Sequence, residues 1–350
     1  MPSPPPDPAL RLRIDRAALA ANWRALDALS GAARAGAAVK ADAYGIGARL
    51  AAIVLREAGC RDFFVAHWRE AAELRDLLAP QDIAVLHGPL TGDEARWARA
   101  AGVRPVINSL AQAQRWLEAG GGPCHLMIDS GINRLGLPMA DLGAEAIARL
   151  DIDMLLSHLA SADEDSALNP LQRARWSQAR ALVPHRRASL ANSAGIALGA
   201  EYHGDVTRPG LALYGGVPRP EMAGHLRQVA WPQAAVIQLR EIGPGESVGY
   251  NATFVAPRRM RLAVIALGYA DGYLRCWSGR GAMRWQGARL PVIGRVSMDM
   301  SVLDAAAAPD LAEGDWIEAD YELPAAAAAS GLSQYELLTL LGRRFGRESG

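Results

Sequence analysis

The chain has 350 residues, half of them hydrophobic, with 37 basic residues against 37 acidic ones and no formal net charge. That length accommodates one large domain and a smaller one, since a single barrel domain runs to ~250 residues. The charge balance leaves neither nucleic acid nor an anionic membrane as an expected partner. Its apolar runs are too short for a transmembrane helix, and the opening MPSPPPDPAL has neither the basic nor the apolar region of a signal peptide. Cys60, Cys124 and Cys276 are odd in number and far apart, with no CxxC pair. That spacing argues for a reducing, cytoplasmic setting and against a disulfide framework or a zinc knuckle.

In chain order, eight short apolar segments punctuate the first two-thirds: GAAVKA near residue 38, DFFVA (62–66), IAVLHG (83–88), RPVIN (104–108), HLMID (125–129), DMLLSH (153–158), RASLAN (187–192) and DVTRPGLALYG (205–215). Between them run segments such as ARLAAIVLREAG, WREAAELRDLL, EARWARAAG and LAQAQRWLEAG, with apolar positions at helical spacing. Eight strand–helix alternations predict an α/β fold, an N-terminal (β/α)8 TIM-like barrel over 10–225. The strands read as continuous apolar runs because a covered parallel sheet buries both faces. From 226 to 350 the pattern turns to AAVIQLREI, RLAVIALGYA, ARLPVIGRVSMDMSVLDA and DWIEAD, broken by GPGES and EGD turns. This predicts a mostly β C-terminal domain, closed by a helix at SQYELLTLLGRRFG, with AAAAAS before it as a connector or helix start.

One count stands apart. Of the 37 basic residues 36 are arginine, and the single lysine is Lys40. Arginine replaces lysine as a surface cation but not where a deprotonatable primary amine is needed. Polar residues fall where a barrel gathers its function, at the C-terminal strand ends. Lys40 ends the first strand, Asp129 and Arg134 follow the fifth, His158 ends the sixth, Asn192 and Ser193 follow the seventh, and Arg208 and Gly210 lie at or past the eighth. A lysine at one strand end with a Ser/Gly pair after strands seven and eight suits a phosphorylated aldehyde cofactor. His67, His87, His125, His185, His203 and His225 show no ligand-like pairing, so no metal is assigned. The glycines at Gly45 and Gly47 are too few for a dinucleotide site and are read as a close backbone approach to phosphate.

The segment AVKADAYGIG resembles the cofactor-lysine signature of the alanine racemase family. IDSGINRLG, LLSHLASAD, SLANSAG, TRPGLALYG, VGYNATF, LGYADGY, GRVSMDM and SQYELLTLLGRRF resemble family segments in family order, from about residue 12 to 347. The resemblance implies a pyridoxal 5'-phosphate enzyme interconverting L- and D-alanine with two bases, Lys40 and Tyr250. It implies that Lys40 holds the cofactor covalently and that Tyr44, Ser193, Gly210, Leu211 and Tyr335 surround its phosphate. Arg208 would face the pyridine nitrogen with His158 behind it. Arg134 would lie by the phenolic oxygen and, with the Met298 backbone, bind the substrate carboxylate. Tyr269, Arg295 and Asp299 would line the entrance. It further implies a homodimer in which Tyr250, Tyr269, Met298 and Asp299 act on the partner's barrel. Met127 departs from the pattern, standing where many members carry a lysine that can be carbamylated to orient the arginine. The alternatives are a racemase of broader range (serine or larger side chains), a non-catalytic cofactor-binding protein, which would lack VGYNATF and GRVSMDM, and a fold-related decarboxylase.

Overall fold

The structure, a computed structural model, describes residues 8–349; most of the proline-rich start, read above as lacking a leader, lies outside them. The described residues form two compact units, Ala17–Arg227 and a second made of the chain start through Arg16 with Gln228 onward.

Strand β1 (Leu10–Ile14) belongs to the second unit. The barrel expected from residue 10 therefore begins after Arg16. The LRLRI alternation buries Leu10, Leu12 and Ile14, and these residues pair with a strand more than 200 positions later.

The first unit holds β2 (Arg34–Ala35), β3 (Ala37–Ala38), β4 (Phe63–Val65), β5 (Ile83–Val85), β6 (Arg104–Ile107), β7 (Pro123–Asp129), β8 (Leu137–Pro138), β9 (Asp151–Leu156), β10 (Arg187–Ser189) and β11 (Val206–Thr207). Strands β3 to β7, β9 and β10 run parallel in that order, with β8 hung on β7. Residues 34–39 close the ring. The N–H groups of Arg34, Gly36 and Ala38 donate to Asp205, Thr207 and Pro209 carbonyls, and those of Ala37 and Val39 donate to Asp62 and Phe64 on the other side. Gly36 lies between β2 and β3, where a Cβ would come 2.8 Å from the Asp62 carbonyl. All eight expected strands are thus present.

The parallel strands are apolar on both faces for the reason expected. Phe64, Ala84, Val106, Met127, Met154, Leu156 and Val206 fill the interior. Leu126, Ile128 and Leu155 alternate with them and point outward onto Ala95, Ala98, Ala113, Trp116 and Ala179 of the covering helices. Near the strand starts Arg187 pairs with Asp62 and Asp153, each at 2.8 Å.

In the second unit β12 (Ala230–Ile242), β15 (Met260–Ile265), β18 (Ser301–Asp304), β17 (Ala288–Ile293), β16 (Ala282–Trp285) and β19 (Trp316–Ala319) form a closed antiparallel circuit, numbered around a small hairpin of β13 (Ser247–Val248) and β14 (Phe254–Val255). Strand β12 is long enough to pair with β15, β19 and β1 along its 13 residues. The alanine run becomes helix Leu323–Ser330. The expected terminal helix is short, Gln334–Thr339, and the chain ends in β20 (Gly346–Ser349), parallel to β1. Among the described residues no helix is long and apolar enough to cross a membrane.

Candidate active site

Lys40 stands directly after the strand that closes the barrel. The chain then enters a left-handed turn in which Ala41, Asp42, Ala43 and Tyr44 have φ of 53°, 53°, 53° and 57°. Each non-glycine residue held there costs roughly 1–2 kcal/mol, so contacts must over-determine the turn. Asp42 Oδ1 accepts from Ala48 N–H at 2.7 Å, Gly47 N–H donates to the Asp42 carbonyl, and Gly45 N–H donates to Ala41. The two glycines thus terminate a strained turn. Burial, then the charge of Arg134, push the Lys40 amine below its ordinary range, and Arg208 adds to this against an opposing pull from Glu70. An amine that gives up its proton more readily is what a base or a nucleophile needs.

Of the residues expected around a phosphate, Ser193, Gly210 and Tyr44 come together. Ser193 Oγ accepts from Gly210 N–H at 2.8 Å and Ala212 N–H at 3.2 Å, which leaves its own O–H to donate. A Cβ on Gly210 would lie 2.3 Å from the Tyr44 hydroxyl, so only glycine lets Tyr44 approach. Leu211 opens the 3-10 turn Leu211–Tyr214 and is buried. Tyr214 donates to the Ala38 carbonyl at 2.8 Å, and its ring lies 5.0 Å from that of Tyr44.

Arg208 is 6% exposed and spans three strands. Its guanidinium donates to Ser189 Oγ and to the Ser157 and Leu190 carbonyls. Burial lowers its pKa to about 10, which still leaves a full cation at neutral pH. Ser157 Oγ meets Ser130 Oγ at 2.7 Å, and Gln172 ties Ser130 to the His158 carbonyl at 3.1 and 3.0 Å. Burial first, then Arg208 and Arg134, push the His158 imidazole down to about 3, so it is neutral.

The Arg134 loop folds back because Asp129 Oδ1 accepts from Gly131 and Asn133 N–H groups at 2.9 and 3.1 Å, and Ile128 and Asp129 pair with Leu137 and Pro138. Arg134 is exposed, and among the described residues it makes no hydrogen bond or salt bridge. Met127, 6% exposed, packs in the barrel interior. Two features at the mouth escaped the sequence reading. Glu70 acts electrostatically on Lys40. His67 and His87, dismissed as ligands, form an edge-to-face pair 4.4 Å apart, and His87 senses the Lys40 charge.

The remaining predicted residues lie in the second unit. Tyr250 sits between β13 and β14 after Gly249 (φ 73°), with Asn251 and Ala252 also left-handed. It is 64% exposed. A Cβ added at Gly249 would lie 3.6 Å from the Arg295 backbone nitrogen, an ordinary contact. Tyr269 and Ala270 N–H groups donate to the Ser297 and Met298 carbonyls at 3.0 and 2.9 Å, which joins the two entrance segments. Asp299 pairs with Arg344 at 2.6 Å. Tyr335, in the first turn of helix Gln334–Thr339, is 44% exposed.

A closed barrel with Lys40 at its mouth and the Ser193–Gly210 contact joining two of its loops, followed by an antiparallel β unit whose hairpin exposes Tyr250, defines a two-domain class of barrel protein. Residues 14–218 match the family model of the alanine racemase N-terminal domain, and residues 229–349 that of the alanine racemase C-terminal domain. The chain is 45% identical to the alanine racemase of Acidiphilium cryptum over 96% of its own length and 97% of that protein's. It is 43% identical to the alanine racemase of Methylobacterium nodulans, covering 96% and 95%. A crystal structure of alanine racemase from Bartonella henselae with covalently bound pyridoxal phosphate superposes with a TM-score of 0.89 at 34% identity, covering 98% of this chain and all of that one. The chain belongs to the alanine racemase family.

Proposed function

We propose that this protein interconverts L- and D-alanine with pyridoxal 5'-phosphate, using Lys40 and Tyr250 as its two bases. The single observation that carries the reading is Lys40. It is the one lysine in a chain of 36 arginines, and it stands at the barrel mouth with an amine held below its ordinary range.

The residues present fit the cofactor. The Ser193 hydroxyl and the Gly210 backbone, approached by Tyr44, suit a phosphate. Arg208 suits a pyridine nitrogen, because a guanidinium donates and does not surrender its proton. When bound, pyridoxal phosphate supplies an aldehyde that condenses with amines and a ring that draws charge from the substrate Cα. Lys40 Nζ and Tyr250 Oη then remove and return the Cα proton on opposite faces, so neither has to cross the ring. Arg208, a full cation, would offer the ring nitrogen a hydrogen bond without surrendering its proton, and neutral His158 would have none to give, which suits racemisation better than transamination. Arg134 and the Met298 backbone hold the substrate carboxylate. Tyr269, Arg295 and Asp299 border the entrance, and Leu211 and Tyr335 complete the phosphate surroundings.

The working enzyme is a homodimer in which Tyr250 of one protomer serves the Lys40 of the other. In support, Tyr250, Val255, Met298 and Met300 are 64, 53, 53 and 43% exposed on the single chain, a concentration of large apolar groups near the catalytic hairpin. The setting is cytoplasmic, consistent with three free cysteines. Borohydride reduction of the cofactor-loaded protein followed by peptide mapping tests the attachment. The added mass falls on the peptide containing Lys40; an unmodified Lys40 peptide from protein that retains the cofactor contradicts it.

A further inference from the structure

The strained turn after Lys40 needs an anchor at its first residue, and the covering helix Trp68–Leu74 supplies one. Glu70 Oε1 accepts from Ala41 N–H at 2.7 Å, and Oε2 accepts from Ala66 N–H at 2.7 Å and His67 N–H at 3.2 Å. The contact to His67 belongs to a capping box at the start of that helix. A cap alone accounts only for that longest contact. The two short ones reach the segment after Lys40 and the end of β4, so one carboxylate pins the mouth of the first strand to that of the second.

We propose that Glu70 is the positioning residue of Lys40: its carboxylate fixes the start of the left-handed turn and supplies the negative charge that balances the arginines around the amine. The groups acting on Lys40 are Arg134 and Arg208, which disfavour its charged form, and Glu70, which favours it. His87 and His158 also sense the lysine charge, and both are held toward neutrality by burial and neighbouring cations. Glu70 is thus a carboxylate that offsets part of the lowering that burial and the two arginines impose on the Lys40 amine.

The inference takes its purpose from the racemase reading above, but its primary test, a titration, needs neither cofactor nor turnover. Because Lys40 is the single lysine, reductive methylation of the full cofactor-free chain with 13C-formaldehyde gives one side-chain amine resonance beside that of the N-terminus. Its pH titration reports Lys40 directly. Removing the anion destabilises the ammonium form, so in Glu70→Gln the Lys40 midpoint moves to lower pH than in wild type. A purely structural cap lowers Tm and leaves that midpoint in place, and an unmoved midpoint in a folded variant overturns the proposal.

The double variant Ala41→Gly/Glu70→Gln separates the two roles and covers poor folding of the single change. Glycine tolerates the left-handed conformation, so retention of pyridoxal phosphate recovers toward wild type while the lowered midpoint persists. Recovery of the midpoint along with retention would show that charge plays no part. Failure of the wild-type protein to racemise alanine would refute the function proposed above and leave the titration result standing by itself.

Discussion

Ser193 and Gly210 are joined by a hydrogen bond of 2.8 Å, the glycine N–H donating to the serine hydroxyl oxygen. The bond links the loop after the seventh barrel strand to the loop after the eighth. Gly210 also faces the Tyr44 hydroxyl from the strained turn beyond the first strand. Three loops thus meet at one small residue, and the cradle depends on its size.

Gly210→Ala places a methyl group 2.3 Å from the Tyr44 hydroxyl. Overpacking of this kind costs about 1–3 kcal/mol, or roughly five- to 150-fold in affinity if expressed at the site. The expected outcome is a folded protein with weakened retention of pyridoxal phosphate, measured by dialysis and absorbance. Wild-type retention would mean that Tyr44 does not border the phosphate.

Tyr250→Phe removes the hydroxyl and keeps the ring. Loss of a positioned base costs on the order of 10²–10⁴ in rate. The loss falls on both directions, because Tyr250 takes the proton in one and returns it in the other, and pyridoxal phosphate stays bound. Separate initial rates from L- and D-alanine measure it, and unimpaired rates in both directions refute the assignment.

Met127→Lys puts an amine into an apolar barrel interior at a 6% exposed position. An unpaired buried amine is costly, and far more so as the ammonium, which lowers Tm. Carbamylation by bicarbonate converts the lysine to an anion able to orient Arg134, which lacks a hydrogen-bonded partner among the described residues. The variant is expected to show a higher kcat/KM than wild type when bicarbonate is present. Identical kinetics for both proteins would show that Arg134 needs no such support.

Much of the fold was legible because its physics is local in sequence. Phe63–Val65, Ile83–Val85 and Arg104–Ile107 read as strands since both faces are buried, and the helices between them show one apolar stripe. Lys40, Ser193, Arg208 and Gly210 were legible from their places at strand ends. What escaped depends on partners distant in the chain. Leu10–Ile14 reads as a strand, but only its pairing with Ala230–Ala234 assigns it to the second unit. The terminal SQYELLTLLGRRFG has helical spacing, yet the helix stops at Thr339, Gly342 N–H donates to the Asp271 carbonyl, and Gly346–Ser349 pairs with β1. Glu70 lies in WREAAELRDLL, whose apolar spacing predicts a helix. Nothing in that spacing announces that its short contacts reach Ala41 and Ala66.

The most direct measurement is chiral chromatography of L-alanine incubated with the purified protein and pyridoxal phosphate, with L-serine, L-arginine and L-lysine in parallel. The predicted result is approach to equal amounts of L- and D-alanine, with little conversion of the other three. Absence of D-alanine from protein that carries the cofactor on Lys40 would contradict the account.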